Sequence, residues 1–161
     1  MSHIRRKDRE IHDTADIDGI LRAGRFVVVA LADGDEPYAV TLSYGYDAEK
    51  RRLCFHAATA GRKLDIIARN PLACATVVVD NGYKVGECAH PYRSVVMTGR
   101  MRALEEPDEA RDAMRVLVDH LESEQASEEI WDRNGLTDDA AFTRITMLEF
   151  SIETLCAKQG E

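Results

Sequence analysis

The sequence predicts a mainly β fold with helices, built as an antiparallel β-barrel from a single domain. Six segments rich in β-branched and apolar residues follow one another, several bounded by turn signals such as Asp33-Gly34-Asp35 and Asn81-Gly82. Few helical segments stand between them, whereas a doubly wound parallel sheet needs a helix after almost every strand. The 161 residues, 45% hydrophobic and 31% charged, suffice for one globular core.

The six predicted strands are between 5 and 13 residues long. They cover residues 25–32, 37–46, 51–55, 72–80, 92–104 and 143–155. The first three are expected to pair as an antiparallel meander, because each is joined to the next by a short turn. Gly99 lies inside the fifth strand and predicts a bulge or a bend there.

Helices are predicted at three places along residues 1–161, which we treat as one domain. Residues 15–23 and 61–70 have apolar residues at helical spacing. Residues 105–143 form a mainly helical insertion before the last strand; Pro107 opens its clearest helix. Residues 1–14 are polar and predict an N-terminal arm, either irregular or lying on a partner subunit.

The stretch from Leu53 to Pro71 predicts a strand, a turn of small residues and a helix that opens at Gly61. A helix start presents unpaired N–H groups and the positive end of the helix dipole, which suits an anion. Arg62 and Lys63 add two positive charges at this position, and arginine can bind a phosphate with two hydrogen bonds. The turn therefore predicts a phosphate site of a cofactor, or else a structural connection with a solvated basic pair.

Charge is unevenly distributed along the chain. Residues 1–104 carry 16 Lys and Arg against 13 Asp and Glu, whereas residues 105–161 carry 5 against 16. A net charge of −8 argues against nucleic acid, whose binding depends on neutralising phosphates. The basic half contains the turn at Arg62, which agrees with a small anionic ligand.

The chain is predicted to be cytoplasmic and not associated with a membrane. Its first ten residues are charged and lack the apolar segment of a secretory signal. No apolar run approaches the roughly 20 residues that a membrane-spanning helix needs. The cysteines show no CxxC spacing and are expected to be free thiols: Cys54, Cys74, Cys88 and Cys156.

Several common site classes find no support in the motifs. Neither GxGxxG nor GxxxxGK[ST] occurs, so a Rossmann or P-loop nucleotide site is not expected. Cys54 with His56, and Cys88 with His90, match no common zinc spacing, so no metal site is predicted.

Four separated pieces match one family pattern, in the order in which the family has them. They are Arg5-Arg6-Lys7-Asp8-Arg9-Glu10-Ile11; Pro37-Tyr38-Ala39-Val40 with Tyr44-Gly45-Tyr46-Asp47; Phe55-His56-Ala57-Ala58 with Gly61-Arg62-Lys63 and Asn70-Pro71; and Tyr92-Arg93-Ser94-Val95 followed by Gly99. In these pieces the chain resembles the nitroimidazole-resistance (Nim-like) branch of the pyridoxamine 5′-phosphate oxidase-like flavoproteins. The resemblance implies a six-stranded split β-barrel that forms a homodimer, with FMN bound in clefts between the two subunits.

The resemblance also implies four groups of cofactor-binding residues. Val40, Thr41, Leu42 and Ser43 would lie against the isoalloxazine ring. His56, Ala57, Ala58 and Thr59 would pass under the ribityl chain, and Gly61, Arg62 and Lys63 would bind the phosphate. Tyr92, Arg93 and Ser94 would reach the cofactor from the side, across the dimer. The chain departs from the pattern at Thr41, where relatives often carry proline, and at Ala58.

The function implied by the resemblance is a flavin-dependent oxidoreductase that reduces a small electron-poor substrate, possible examples being nitroaromatics such as a 5-nitroimidazole. NAD(P)H or another electron donor would reduce FMN, and no side chain need act as a catalytic nucleophile because the flavin carries the redox chemistry. A non-catalytic protein that binds FMN, FAD or haem is the alternative, and a β-barrel with a purely structural basic turn is a third.

Two side-chain roles stay open on the sequence alone. His56 could contact the flavin or donate a proton, or it could be a hydrogen-bonded histidine at a strand end. Trp131 and Tyr92 could form a wall of the ligand site, although aromatic residues mostly serve the core.

Overall fold

A computed structural model describes residues 4–160 and contains one antiparallel sheet of eight strands. The strands are β1 (Glu10–Ile11), β2 (Phe26–Asp33), β3 (Glu36–Ser43), β4 (Gly45–Asp47), β5 (Arg52–Ala57), β6 (Leu72–Asp80), β7 (Tyr92–Leu104) and β8 (Thr146–Gly160). The helices are α1 (Thr14–Ala23), α2 (Arg62–Arg69), α3 (Pro107–Leu121) and α4 (Glu124–Arg133), with 3-10 segments at Lys7–Arg9 and Asp139–Arg144.

The strand order is β3-β2-β6-β7-β8-β5-β4, and β1 pairs with the end of β8. The predicted antiparallel, mainly β fold of the split-barrel type is thereby confirmed, although the sheet is not closed and has eight strands instead of six. All six predicted segments are strands. The count rises because the second segment is divided at Tyr44, and because Glu10 and Ile11 in the polar arm form β1.

The predicted three-strand meander is interrupted inside its second segment: residues 36–43 pair with β2 and residues 45–47 pair with β5, but a break at Tyr44 separates the two pairings. β2 and β3 form the expected hairpin, but β5 pairs with β8 and with β4, never with β3. Tyr44 is fully buried and its hydroxyl donates to the Leu21 carbonyl oxygen at 2.6 Å, which turns the chain away from β2. One continuous segment therefore supplies both outermost strands of the main sheet.

Two glycines allow close approaches that hold this arrangement together. A Cβ at Gly45 would clash with the backbone of Val116 and Leu117, so α3 lies directly on β4. A Cβ at Gly99 would clash with the Ser151 carbonyl oxygen, and the register of β7 against β8 shifts at this residue. The predicted irregularity at Gly99 is therefore a β-bulge.

Hydrophobic residues form two separate cores on the two faces of β5. Leu53, Phe55 and Ala57 belong to the larger core, which α1 and α2 cover. Cys54 belongs to the smaller core, which α3 and α4 complete with Met147 of β8. Side chains of a strand alternate between faces, so the layer formed by α3 and α4 packs on the opposite face of β5 and β8 from the larger core. In the sequence this helical layer lies between β7 and β8.

A buried cation fastens this helical layer to the sheet. The Arg52 guanidinium donates to Glu149 at 2.8 Å and to Asp47 at 3.1 Å, and it also pairs with Asp112 of α3. Arg102 contacts the other oxygen of Glu149 at 3.2 Å. These contacts join β4, β5, β7, β8 and α3 in one polar network. Along residues 4–160 no helix combines the length and the apolar character needed to span a membrane.

Candidate functional site

β3 carries the residues predicted to contact a flavin ring, and it lies at one end of the main sheet. Val40–Ser43 pair with β2 on one side, and no described strand pairs with their other side. An edge strand leaves alternate N–H and C=O groups free for an incoming partner. Thr41 is exposed, while Val40 and Leu42 are half-buried against the larger core. The edge can thus hold the polar rim of a flat molecule.

The predicted phosphate turn begins α2 as expected. Gly61 is the N-cap residue with φ 140°, a conformation that favours glycine, and a Cβ there would meet no atom within 4 Å. Its carbonyl oxygen accepts hydrogen bonds from the N–H groups of Leu64 and Asp65 at 2.9 and 3.2 Å. The N–H groups of Arg62 and Lys63 precede these two bonds and have no acceptor inside the helix.

Arg62 connects this turn to β3. Its guanidinium forms an ion pair with Glu36 at 2.7 Å and lies 5.1 Å from the centre of the Tyr38 ring. The hydrogen bond to Glu36 raises the pKa of Arg62. From Tyr38 to Leu42 the strand advances by about 13 Å, at about 3.3 Å per residue. The predicted phosphate turn therefore contacts the same strand whose free edge carries Val40 to Ser43.

His56 is separated from its neighbours in the predicted ribityl segment. Ala57 is 5% exposed and packs in the larger core, whereas His56 is exposed on the other face of β5 and lines a cavity under α3. Ala58 and Thr59 are exposed in the turn that leads to Gly61. The small side chains thus leave the turn accessible, and His56 lies on the face of β5 that the helical layer covers.

Tyr92, Arg93 and Ser94 begin β7, three strand spacings from β3, which is about 14 Å within the sheet. Tyr92 and Ser94 lie on one face, and alternation puts Arg93 on the other. Ser94 is 4% exposed, yet its Oγ has no hydrogen-bond partner among the described residues. The structure therefore does not bring this trio to the phosphate turn of its own chain.

We call the sheet face that carries Tyr92 and Ser94 the outer face. Its register rows run from Thr41 through Val28 and Thr76 to Val96, and from Ser43 through Phe26. Large apolar side chains are exposed there: Phe26 by 62%, Val28 by 41%, Leu72 by 52% and Val78 by 54%. A cavity of about 460 Å³ opens on this face and is lined by Thr76, Val78, Asp80, His90, Tyr92, Ser94, Val96 and Lys158.

A second, larger cavity lies under the helical layer and has a volume of about 630 Å³. Its lining is mostly apolar and consists of His56, Met114, Leu117, Val118, Leu121, Glu122, Ile130, Asn134, Leu136, Ala140, Ala141, Thr143, Arg144 and Ile145. We call it the insertion cavity. The sequence analysis did not predict this cavity, since it identified residues 105–143 only as a mainly helical insertion. Along residues 4–160, no three His, Cys, Asp or Glu side chains are grouped to hold a metal ion.

Several solved structures share this fold. A candidate 5-nitroimidazole antibiotic resistance protein from Bacteroides thetaiotaomicron is 21% identical, with a TM-score of 0.77 over 94% of this chain and 86% of that one. An FAD- and haem-binding protein from Mycobacterium smegmatis is 18% identical, with a TM-score of 0.77 over 95% and 74%. An FAD-binding protein from Mesorhizobium loti is 20% identical, with a TM-score of 0.67 over 95% and 98%.

No protein with a curated description matches the chain. The family model described as pyridoxamine 5′-phosphate oxidase matches residues 13–159, which include every strand from β2 to β8 except the last residue of β8. The open antiparallel sheet, the edge strand β3 and the basic turn before α2 all lie within this match. The chain therefore belongs to the pyridoxamine 5′-phosphate oxidase-like family.

Proposed function

We propose that the chain binds FMN and acts as a flavin-dependent oxidoreductase on a small electron-poor substrate. The observation that carries the proposal is the contact of Arg62 with Glu36 and Tyr38, because it joins a basic helix start to an edge strand. A phosphate at the first turn of α2 would be bound by Arg62, Lys63 and free N–H groups. A planar ring farther along β3 would receive backbone hydrogen bonds from Val40 to Ser43.

The site is proposed to be shared by two copies of the chain in a homodimer. Four large apolar side chains of the outer face are exposed, which is unusual for a surface that faces only water. Burying this face against a second copy would bring the outer-face cavity of one copy to β3 of the other. Ser94 supports this arrangement, because its buried hydroxyl lacks a hydrogen-bond partner among residues 4–160.

A bound flavin supplies hydride and single-electron transfer, and the protein supplies position and electrostatics. Arg62 and Lys63 neutralise the phosphate charge, and the edge of β3 fixes the plane and the direction of the ring. The proposed substrate is a nitroaromatic such as a 5-nitroimidazole, and NAD(P)H is the proposed electron donor. This choice is supported by the name of the similar protein from Bacteroides thetaiotaomicron.

Absorption spectra of the purified chain test the proposal. We expect the two visible bands of an oxidised flavin after purification or after addition of FMN. NAD(P)H should bleach these bands, and a nitroimidazole should restore them under anaerobic conditions. A colourless protein that does not bind added FMN would contradict the proposal. A flavin that NAD(P)H reduces but that no nitro compound reoxidises would leave a flavoprotein with a different substrate.

The phosphate contact has its own test. The double variant Arg62→Ala with Lys63→Ala should weaken FMN binding at least tenfold and riboflavin binding far less, since only FMN carries the phosphate. Arg69→Ala is the matched control, because Arg69 lies at the other end of α2 and pairs with Asp33 at 2.6 Å. Equal losses for FMN and riboflavin would refute the assigned phosphate site. If the wild-type chain binds FAD as tightly as FMN, FAD would replace FMN as the proposed cofactor.

Sedimentation tests the shared site. Phe26→Asp places a charge on the outer face at its most exposed apolar side chain and should convert a dimer into monomers with weak FMN binding. A monomeric wild-type chain that binds FMN fully would refute the shared site.

Haem binding is the second candidate function, and the position of His56 favours it. The exposed imidazole lines an apolar cavity of about 630 Å³, where it could serve as an axial ligand of a haem iron. A Soret band that disappears in His56→Ala would support this candidate. The similar protein from Mycobacterium smegmatis is named for both FAD and haem.

A further inference from the structure

The insertion cavity is walled by α3, α4 and the segment Asp139–Arg144, with His56 of β5 on its sheet side. Its volume of about 630 Å³ lies within the range of small-molecule sites in proteins. The walls are firmly held: Trp131 of α4 is buried, and the Arg115 guanidinium lies 4.1 Å from the centre of its ring. Arg115 also pairs with Glu128 at 2.7 Å. The cavity is thus a formed space between packed elements.

Five polar side chains line this cavity, and they divide into two groups. The side chains of Asn134 and Thr143 already donate hydrogen bonds to backbone carbonyl oxygens, those of Ile130 and Ala140, at 2.8 Å each. The side chains of His56, Glu122 and Arg144 form no hydrogen bond or ion pair among residues 4–160. The guanidinium of the exposed Arg144 is therefore available to a ligand of this mostly apolar cavity.

The strand register shows where Arg144 lies. His56 pairs with Met147 and Ala57 with Thr146 in the β5–β8 ladder. Arg144 is the last residue of the 3-10 segment Asp139–Arg144, two residues before Thr146, and lies outside this ladder. It therefore lies near the end of β5 that carries His56, and both residues line the insertion cavity.

We propose that the insertion cavity binds a small apolar monocarboxylic acid. The apolar body of the acid contacts α3 and α4, and its carboxylate forms a charge-assisted pair with Arg144. Glu122, at the C-terminal end of α3, is a second unpaired charge on the wall and opposes ligands with two negative groups. This site is separate from the proposed phosphate turn, and its ligand does not require a bound flavin.

Calorimetric titration of the full-length chain with 2-naphthoate tests the site. Its neutral analogue 2-naphthamide has the same ring and lacks the charge. Arg144→Gln should weaken 2-naphthoate binding about tenfold and leave 2-naphthamide unchanged. Arg133→Gln is the matched control, because Arg133 is an arginine of the same helical layer that does not line the cavity. Ala140→Trp fills the cavity from an exposed wall position and should abolish binding of both compounds.

Three results would overturn the proposal. The first is the absence of 2-naphthoate binding to the wild-type chain at millimolar concentration. The second is equal binding by the wild-type chain and Arg144→Gln. The third is a cavity already filled by haem, which would be recognised by a Soret band that disappears in His56→Ala and that 2-naphthoate at millimolar concentration does not change. The same titrations with and without FMN keep failure of this site distinct from failure of the flavin site.

Discussion

Replacing Arg52 with methionine should destabilise the fold, because it leaves buried carboxylates without their cation. The Arg52 side chain is 6% exposed, and those of Asp47 and Glu149 are 15% and 11% exposed. Methionine keeps an unbranched chain of similar length but carries no charge. The substitution therefore tests the electrostatic network more than the packing.

The size of the expected loss of stability depends on which cations still contact each carboxylate in the variant. Removing one partner of a buried ion pair costs about 3–5 kcal/mol. Glu149 keeps Arg102 at 3.2 Å, and Asp112 keeps Lys50 at 2.7 Å, so we expect the lower end of this range. A loss of about 3 kcal/mol lowers the folding equilibrium constant more than 100-fold. It lowers Tm by about 6–12 °C for a chain of this size.

The loss should depend on pH. Burial raises the pKa of Glu149, but the hydrogen bond from Arg52 and the charge of Arg102 outweigh it and hold the pKa below its ordinary value. A carboxyl with a lowered folded-state pKa adds stability above its unfolded pKa, and that stability is lost as the pH falls through the folded-state pKa. The variant lacks much of this contribution. Its deficit should therefore be larger at pH 7 than at pH 4.

Urea unfolding followed by circular dichroism at a fixed protein concentration measures both quantities. Arg100→Met is the control, because Arg100 pairs with Glu153 at 3.1 Å between side chains that are 57% and 52% exposed, and such pairs contribute about 0–1 kcal/mol. A deficit below about 1 kcal/mol for Arg52→Met at pH 7 would refute the reasoning, as would an equal deficit at both pH values.

Three further predictions concern packing, protonation and the shared site. Gly45→Ala should destabilise the fold by about 1–3 kcal/mol in urea unfolding, because α3 leaves no room for a Cβ. Gly19→Ala is the control and should be neutral or stabilising, because open space surrounds this helical glycine. Equal effects of the two substitutions would contradict the close contact between α3 and β4. Burial lowers the pKa of His120, so the unfolded chain takes up a proton more readily, and the free energy of unfolding should fall as the pH drops through 6.5. His120→Asn should make the free energy of unfolding less dependent on pH in this range. An unchanged pH dependence in the variant would contradict this role of His120. Ser94→Ala should leave the stability of the flavin-free chain unchanged while weakening FMN binding about fivefold, and unchanged FMN binding would remove Ser94 from the site.

Local sequence signals predicted the strands well because they depend on near neighbours. The β6 and β7 segments were placed at their observed limits, since turn residues bound them and apolar residues alternate within them. The bulge at Gly99 was foreseen for the same reason. The β4–β5 hairpin was also predicted, but the break that separates β3 from β4 was not, because the bend at Tyr44 depends on contacts with Leu21 and α3 that lie far away in the sequence.

The candidate site was likewise predicted only where its sequence signals are local. The turn at Gly61 and its basic pair were recognisable from the motif, because the chemistry is local to one helix start. The insertion cavity was missed, although His56 was noticed, since alternation along β5 turns that side chain toward a layer whose position the sequence does not reveal. One signal was available: Arg52 and Glu149 are charges within apolar strands, which indicates a buried ion pair spanning distant segments.

The position of β8 has a consequence for synthesis. β8 is the last strand along residues 4–160, and it pairs with β1, β5 and β7. While the chain emerges from the ribosome, β5 and β7 expose unpaired edges until residues 146–160 have been made. Unpaired edges promote aggregation, so translation that stalls before β8 should yield insoluble fragments, not a smaller folded protein.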